Sequence, residues 1–380
     1  MSSTIAIPTI DITPLLGRSS TVVQRQEVAV ALLNAFTTYG VFYITSSTHP
    51  VFSSSKTKEI LNATKGLFAL DDAQKAQIPK IQPGGFTRGY VPIGGESGSK
   101  TKELKEGFSY GYEWPVAELE ARKAKGDDGL NGLQGPNAWP TQETLDRLDE
   151  ERGRGAFKHT LQEFYLNVCE VAKGLLKGIA LALALPEEEL AKYCTTSETI
   201  SFMRLFHYLP YGDQAHDAQI GSSAHTDWGF LTLILSPSKT VGLQLFHDNA
   251  WHDVPSLENT LVVNGGDYLS LLTGGKLISP LHRVVSNGQE ERYSMCCFYY
   301  PDYAAKIPLL VQDKVSGQAA SGNYSLLRDQ RDDEGGSTVT AQDTDGQDAR
   351  SVATKLLNGD INFGDYIVSK WTQVYRKGGY

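Results

Sequence analysis

The sequence predicts a mainly β protein with flanking helices, and three observations carry that prediction. Between residues 201 and 282, short strand-like runs alternate with the turn signals Asp248-Asn249, Asn264-Gly265-Gly266-Asp267 and Gly274-Gly275, a spacing that suits an antiparallel barrel or sandwich. The runs SAHTDWGFLTLIL (223–235), LISPLHRVV (277–285) and ERYSMCCFYY (291–300) are rich in apolar, β-favouring residues. The strongest helical period lies in one segment. Phe157, Leu161, Phe164, Val168, Val171, Leu175, Ile179 and Leu183 recur at spacings of three and four until Pro186, which reads as a structural helix with its apolar stripe against the sheet.

The remaining elements follow in order. Residues 5–12 (IAIPTIDI) form a strand candidate with Pro8 near its start. Thr21-x-x-Gln24 has the pattern of a capping box, and Val28, Leu32, Leu33 and Phe36 then fall on one helical face. Gly40 ends that helix, and Val41-Phe42-Tyr43-Ile44 reads as a buried strand. A second helix covers the fifties to Phe68, and Asp71-Asp72 opens a further turn or helix. Residues 82–111 are Gly-rich; GGFTRG lacks the spacing of a dinucleotide loop and reads as tight turns. Residues 123–137 read as an exposed loop. Thr273-Gly274-Gly275-Lys276 lacks the lead-in and hydroxyl of a phosphate loop and reads as a hairpin turn. Residues 316–350 are rich in Gly, Ser, Asp and Gln and read as an acidic surface excursion, a loop or a lid. Tyr366, Ile367, Trp371 and Val374 mark a closing helix.

Composition excludes several classes. A chain of 380 residues, 40% hydrophobic, can bury a sizeable core. Its formal net charge of −9 argues against a nucleic-acid partner, which calls for a basic face. Cys169, Cys194, Cys296 and Cys297 show no metal-type spacing and read as reduced thiols. No run approaches a membrane span, and MSSTIAIPTIDI has neither the basic nor the apolar region of a secretory signal, so a cytoplasmic protein is expected.

Chemistry concentrates late in the chain. His225 and Asp227 are two apart, so in extended backbone they share a face and can meet one ion. His282 lies on another strand-like run. Two imidazoles and one carboxylate leave one side of a metal open, the arrangement non-haem Fe(II) oxygenases use. In 291–300 the same period places Arg292, Ser294, Cys296 and Phe298 on one face: a cation, a hydroxyl, a small residue and a ring, as the floor of an anion pocket needs.

These residues sit in the ordered series MRLFHYLP, AHTDWGFLTLIL, VGLQLFHDNAWHDVP, VVNGGDYLSLLTGGKLISPLHRVV and RYSMCCFYYP, with weaker matches in IPTIDI, YGVFYIT and RGYVPIGGE. On them the chain resembles the isopenicillin N synthase-like family of Fe(II)/2-oxoglutarate-dependent dioxygenases. The resemblance implies a double-stranded β-helix (jelly-roll) core. It implies an N-terminal region over residues 1–120 packing on that core, the core itself over 150–315 and 351–380, and 316–350 as an insertion.

It further implies Fe(II) held by His225, Asp227 and His282, with 2-oxoglutarate on the iron and its distal carboxylate on Arg292 and Ser294. A guanidinium suits that task because its donors match a carboxylate bidentately and stay charged. Tyr208 matches a position that hydrogen-bonds the co-substrate in some relatives. Phe298, Arg88, Tyr90 and Trp371 become candidate substrate contacts. O2 is the oxidant, ascorbate an optional reductant, and the products are succinate and a hydroxylated, desaturated or cyclised small molecule, in specialised metabolism by analogy. A monomer or weak homodimer, with no nucleic acid and no membrane, is expected. Two other readings share the scaffold. One is an iron oxidase that dispenses with 2-oxoglutarate, as isopenicillin N synthase does while keeping a similar Arg/Ser pair; the other is a non-catalytic binding protein.

Overall fold

The computed structural model describes the chain except residues 1–4, 18, 80–87, 96–102, 125–132, 151–152, 154, 197, 211–219, 239, 287–289, 311–348 and 378–380. Its first half supplies helices. β1 (Thr9–Asp11) runs into the short α1 (Thr13–Leu16), then α2 (Val22–Thr38), β2 (Val41–Thr45), α3 (Ser54–Phe68) and α4 (Asp72–Ala76). Thr21 and Gln24 form the expected capping box on α2, and Asp71 with Gln74 forms a second one on α4. After β3 (Gly89–Val91) and β4 (Lys105–Gly111) come α5 (Val116–Ala124), α6 (Gln142–Asp149) and the long α7 (Ala156–Ala182). The α7 stripe is buried, with Phe157, Leu161, Val171 and Leu175 each at 0% exposure.

The second half supplies the barrel strands: β5 (Phe202–Tyr208), β6 (Ile220–His225), β7 (Leu231–Leu235), β8 (Leu243–His247), β9 (Ala250–Asp253) and β10 (Leu261–Gly265). A short α8 (Asp267–Leu272), β11 (His282–Val285), β12 (Arg292–Tyr299), α9 (Ala349–Leu357) and α10 (Phe363–Lys377) follow. Eight strands form a major sheet in the order β1-β2-β10-β7-β12-β5-β4-β3, and four form a minor sheet, β6-β11-β8-β9. Pairing is antiparallel except between β1 and β2. The jelly-roll expectation holds.

Two cores lie on opposite faces of the major sheet. Alternation along β12 sends Met295, Cys297 and Tyr299 into a large cluster shared with α2, α3 and α7. It sends Cys296 and Phe298 to the other face, where Phe206, Tyr208, Ile234, Leu243, Leu245 and Val284 form a smaller cluster between the two sheets.

Several local expectations change. The 223–235 run is two strands in different sheets, because the chain leaves β6 at His225 and enters the major sheet at Leu231. The crossover is held by backbone packing: Gly266 N–H donates to Phe230 O (2.8 Å), Asp267 N–H to Asp227 O (2.7 Å) and Tyr268 N–H to Gly229 O (3.2 Å). A Cβ at Gly266 would lie 2.1 Å from Gly229 O, so only glycine permits this approach. Residues 264–267, read as a turn, instead end β10 and start α8, and Thr273-Gly274-Gly275-Lys276 closes that helix rather than a hairpin. Gly274 and Gly275 have φ of 61° and 81°, and Gly275 N–H donates to Ser270 O (2.9 Å). The 277–285 run is a strand only from His282, since Ile278 N–H is taken by Phe36 O (3.1 Å) at the end of α2. Asp248-Asn249 does form a hairpin turn, at φ 48° and 61° between β8 and β9. The proposed excursion 316–350 lies outside the described residues up to 348; 349 and 350 open α9.

Candidate metal and co-substrate site

The site begins with a strand pair. In the minor sheet His282 of β11 stands opposite His225 of β6, which brings the ring centroids to 4.3 Å. Asp227, two residues past the strand end, turns back towards both: its Oδ1 is 3.8 Å from His225 Nε2 and its Oδ2 3.8 Å from His282 Nε2. One ligand atom from each of the three residues lies within 4.8 Å of the others, so a single ion can reach all three.

The other imidazole nitrogens are committed to backbone. His225 Nδ1 is 2.6 Å from Ser223 O, and His282 Nδ1 is 3.0 Å from Pro280 O. A carbonyl only accepts, so each Nδ1 carries the proton and each Nε2 presents a lone pair to the shared space. Partial burial, and after it the neighbouring His282, lowers the His225 pKa from its usual value, so the ring is neutral near pH 7 as a ligand must be. The donor set suits Fe(II): two neutral nitrogens and one carboxylate oxygen with an open flank.

Asn264 of β10, read from sequence as a turn residue, is a strand residue at 1% exposure. Its Nδ2 donates to Asp227 Oδ2 (3.3 Å) and lies 3.5 Å from His282 Nε2. Asp267 serves the same loop from outside, accepting from Thr226 Oγ1 (3.2 Å) and Ser279 Oγ (2.6 Å).

A second constellation lies on the inner face of the major sheet. Arg292 pairs with Tyr208 across β12 and β5, and its Cζ is 4.9 Å from the Tyr208 ring centroid. Ser294 Oγ is 3.5 Å from Tyr208 Oη. Arg292 is 5% exposed, yet its Nε and Nη1 have no hydrogen-bond partner among the described residues. A buried guanidinium with orphaned donors is costly unless an anion completes it, and a carboxylate is the matching shape. Gly242 makes room for it, since a Cβ there would lie 2.9 Å from Arg292 Cδ. Cys296, two residues past Ser294, links this group to the metal set. Burial raises its thiol to about 11, and Arg292 and Asp227 act on it in opposite directions.

Phe298, next on the same face, stacks on Phe202 (4.9 Å, 19°). Trp371 of α10 is buried, 5.1 Å from the Trp228 ring, 6.0 Å from Phe202 and 5.1 Å from Arg204 Cζ. Trp228 follows Asp227 directly, so these rings form an aromatic wall beside the triad. Trp228 and Arg204 were not singled out from sequence. Near Arg204 a small depression is lined by Val91, Lys105, Gly107, Ser109 and Phe206.

Arg88 and Tyr90, expected at the pocket, are placed elsewhere. Arg88 Nη1 donates to Asn137 Oδ1 (2.9 Å) and Nη2 to Leu133 O, so it clamps the chain around 133–137. Tyr90 Oη donates to Glu106 Oε2 (2.5 Å). Glu106 pairs with His207 on the sheet face turned away from the triad. The Gly-rich stretch gave no means of telling which face these side chains take.

Comparison with known proteins agrees with this geometry. Residues 199–301 match the family model of the 2OG-Fe(II) oxygenase superfamily, and 7–142 match the model of the non-haem dioxygenase in morphine synthesis N-terminal region. A 2-oxoglutarate-dependent dioxygenase from Didymella fabae is 30% identical over 330 residues, 84% of this chain and 92% of that protein. Clavatol oxidase from Penicillium crustosum is 29% identical over 308 residues, 77% of this chain and 85% of that protein. Among solved structures, a full-length Neurospora crassa protein in complex with alpha-KG and thymine shares the fold, with a TM-score of 0.66 at 21% identity, covering 94% of this chain and 98% of that one. The chain belongs to the 2OG-Fe(II) oxygenase superfamily, and is a non-haem dioxygenase that uses Fe(II) and 2-oxoglutarate to oxidise a small molecule.

Proposed function

We propose that His225, Asp227 and His282 are the iron ligands and that Arg292, with Ser294 and Tyr208, holds the distal carboxylate of 2-oxoglutarate. The observation that carries this is the convergence of one atom from each ligand within 4.8 Å, with both Nδ1 protons fixed on backbone carbonyls. When bound, iron and 2-oxoglutarate would supply the oxidising chemistry with O2 as the oxidant, one oxygen atom ending in succinate as CO2 is lost and the other serving to oxidise the substrate. The chain contributes placement. Asn264 orients the Asp227 carboxylate from below, while Arg292 fixes the far end of the co-substrate through charge-assisted hydrogen bonds. Burial of Tyr208, Ser294 and Cys296 keeps bulk water from that end.

On this reading the substrate meets Phe298, Trp228 and Trp371, with Arg204 behind them. An aromatic small molecule of specialised metabolism suits that wall, whose rings offer flat apolar faces for stacking. Residues 1–120 are the N-terminal region, whose β1 and β2 extend the major sheet; 150–315 and 351–380 form the catalytic core, with 316–350 inserted. The cytosol is the proposed compartment, with no nucleic-acid or membrane partner. Net charge of −9 disfavours a nucleic-acid partner, and among the described residues no helix is long and apolar enough to cross a membrane. The test is anaerobic Fe(II) titration followed by assay of succinate from 2-oxoglutarate. Wild type should bind one Fe(II) and turn over, and Asp227→Ala should do neither; turnover retained by Asp227→Ala removes the assigned site.

A further inference from the structure

The two imidazoles of the triad are not equally supported. His282 lies on β11, with β6 on one side and β8 on the other, and its side chain is 7% exposed. His225 ends β6, the outer strand of the minor sheet, and its side chain is 40% exposed. An outer strand has one edge of unpaired N–H and C=O groups and is correspondingly easy to displace. Something other than a neighbouring strand has to hold it.

That edge is met by the residues leading into β4. Glu103 is 3% exposed, and its Oε1 accepts from both Ser223 N–H (2.8 Å) and Ser223 Oγ (2.7 Å). Its Oε2 accepts from Lys105 Nζ (2.6 Å), which also reaches Ser222 Oγ (3.2 Å) and lies 5.4 Å from the Phe206 ring centroid. Leu104 N–H donates to Ile220 O (3.3 Å), completing a short clasp along the strand. Ser223 is also the residue whose carbonyl receives His225 Nδ1 at 2.6 Å. In a strand the N–H and C=O of one residue point to the same edge, so the Glu103 carboxylate and the His225 ring grip Ser223 from the same side. A buried carboxylate is stabilised by paired, charge-assisted contacts of this kind, and the neighbouring Lys105 and Ser223 hold the Glu103 carboxyl below the usual range against the opposing effect of burial.

We propose that Glu103 is the positioning residue for His225: by pinning Ser223 on the open edge of β6, it keeps the His225 ring in the tautomer and orientation that aim Nε2 at the iron. The proposal rests on the triad reading above. Glu103 touches neither metal nor co-substrate, and its effect passes through one backbone residue. Had it served only to join β4 to β6, the proton on His225 Nδ1 would be indifferent to it.

The experiment compares full-length wild type, Glu103→Ala and Glu103→Gln by histidine-selective ¹⁵N NMR of the apo protein and by anaerobic Co(II) titration. Wild type should give protected Nδ1–H signals for both triad histidines. In Glu103→Ala the His225 signal should broaden or vanish while that of His282 stays, and the Co(II) Kd should weaken by roughly 10–100-fold, the usual cost of an outer-shell partner. Glu103→Gln keeps an acceptor for Ser223 N–H and should fall between the two. Unchanged His225 signal and Kd in folded Glu103→Ala would overturn the proposal, as would simultaneous loss of both histidine signals. Should Glu103→Ala not fold, Glu103→Gln decides, wild-type values in both measurements overturning it. Co(II) binding that survives His225→Ala would overturn the triad and this proposal with it, an outcome distinct from a failure confined to Glu103.

Discussion

The two faces of the major sheet obey different rules, although the same strands build both. On the helix side, β12 contributes Met295 (0% exposed), Cys297 (0%) and Tyr299 (5%) to an apolar mass shared with α7, where Leu175 and Leu176 are fully buried. On the inner side the same strand contributes Arg292, Ser294, Cys296 and Phe298 beside Tyr208 and Arg204. One face is filled with apolar side chains and aromatic rings packed against the helices. The other keeps the donors Arg292 Nε and Nη1 without partners among the described residues, a cost that an external anion would offset. Stability and chemistry are therefore separated by the two-residue alternation of a strand, and single substitutions should affect one without the other.

The largest effect should come from Asp227→Ala. Iron binding and turnover should fall to background, beyond the roughly 10–100-fold that loss of an outer-shell partner costs, while calorimetry of the apo protein shows a retained fold; a large drop in apo melting temperature would mean that the inner face also carries stability. The converse is Leu175→Ala on α7. Truncating a fully buried leucine should lower unfolding free energy by about 2–5 kcal/mol, read by urea denaturation, with the KM for 2-oxoglutarate unchanged. Arg292→Ala comes next. Loss of charged hydrogen bonds, each of about 1.5–3 kcal/mol, should raise the 2-oxoglutarate KM by about 10–100-fold, with kcat at saturation and thermal stability nearly constant. An unchanged KM would place the co-substrate anchor elsewhere. Tyr208→Phe should be mildest, because only one long contact to Ser294 is shown (3.5 Å); a KM increase of up to about tenfold, from a neutral hydrogen bond of about 0.5–1.5 kcal/mol, is expected in the same assay.

How much of this was legible beforehand depended on the range of the signal. The Thr21–Gln24 capping box, the α7 stripe and the Arg292-Ser294-Cys296-Phe298 row are written in local periods, and each is where the pattern put it. The triad residues could be picked out by type, since His and Asp two apart followed by a distant His is a donor set more than a packing pattern. What local patterns could not express is which sheet a run joins. The 223–235 run reads as one strand because nothing in its apolar sequence marks the jump from β6 to β7; the cause is a backbone contact between Gly229 and Gly266, remote in the chain. Asn264 and Glu103 were missed for a related reason. An amide before Gly-Gly has the composition of a turn, and a glutamate in a Lys/Glu-rich segment has that of a solvated surface, until burial at 1% and 3% shows otherwise. Arg88 and Tyr90 failed by facing: periodicity relates them to each other but not to the barrel axis.

The passage of the chain from the minor to the major sheet within residues 225–231 has a mechanical consequence. His225 and His282 ride on one wall, whereas Asp227 is tethered through Asp267 and Gly229 to the other. Any sliding of the walls past each other is registered directly as a change in the separation of nitrogen from oxygen, so an ion held by all three residues would act as a rivet. Occupancy should thus oppose breathing of the whole barrel, contributing about 4 kcal/mol against unfolding when free metal is a thousandfold above its dissociation constant.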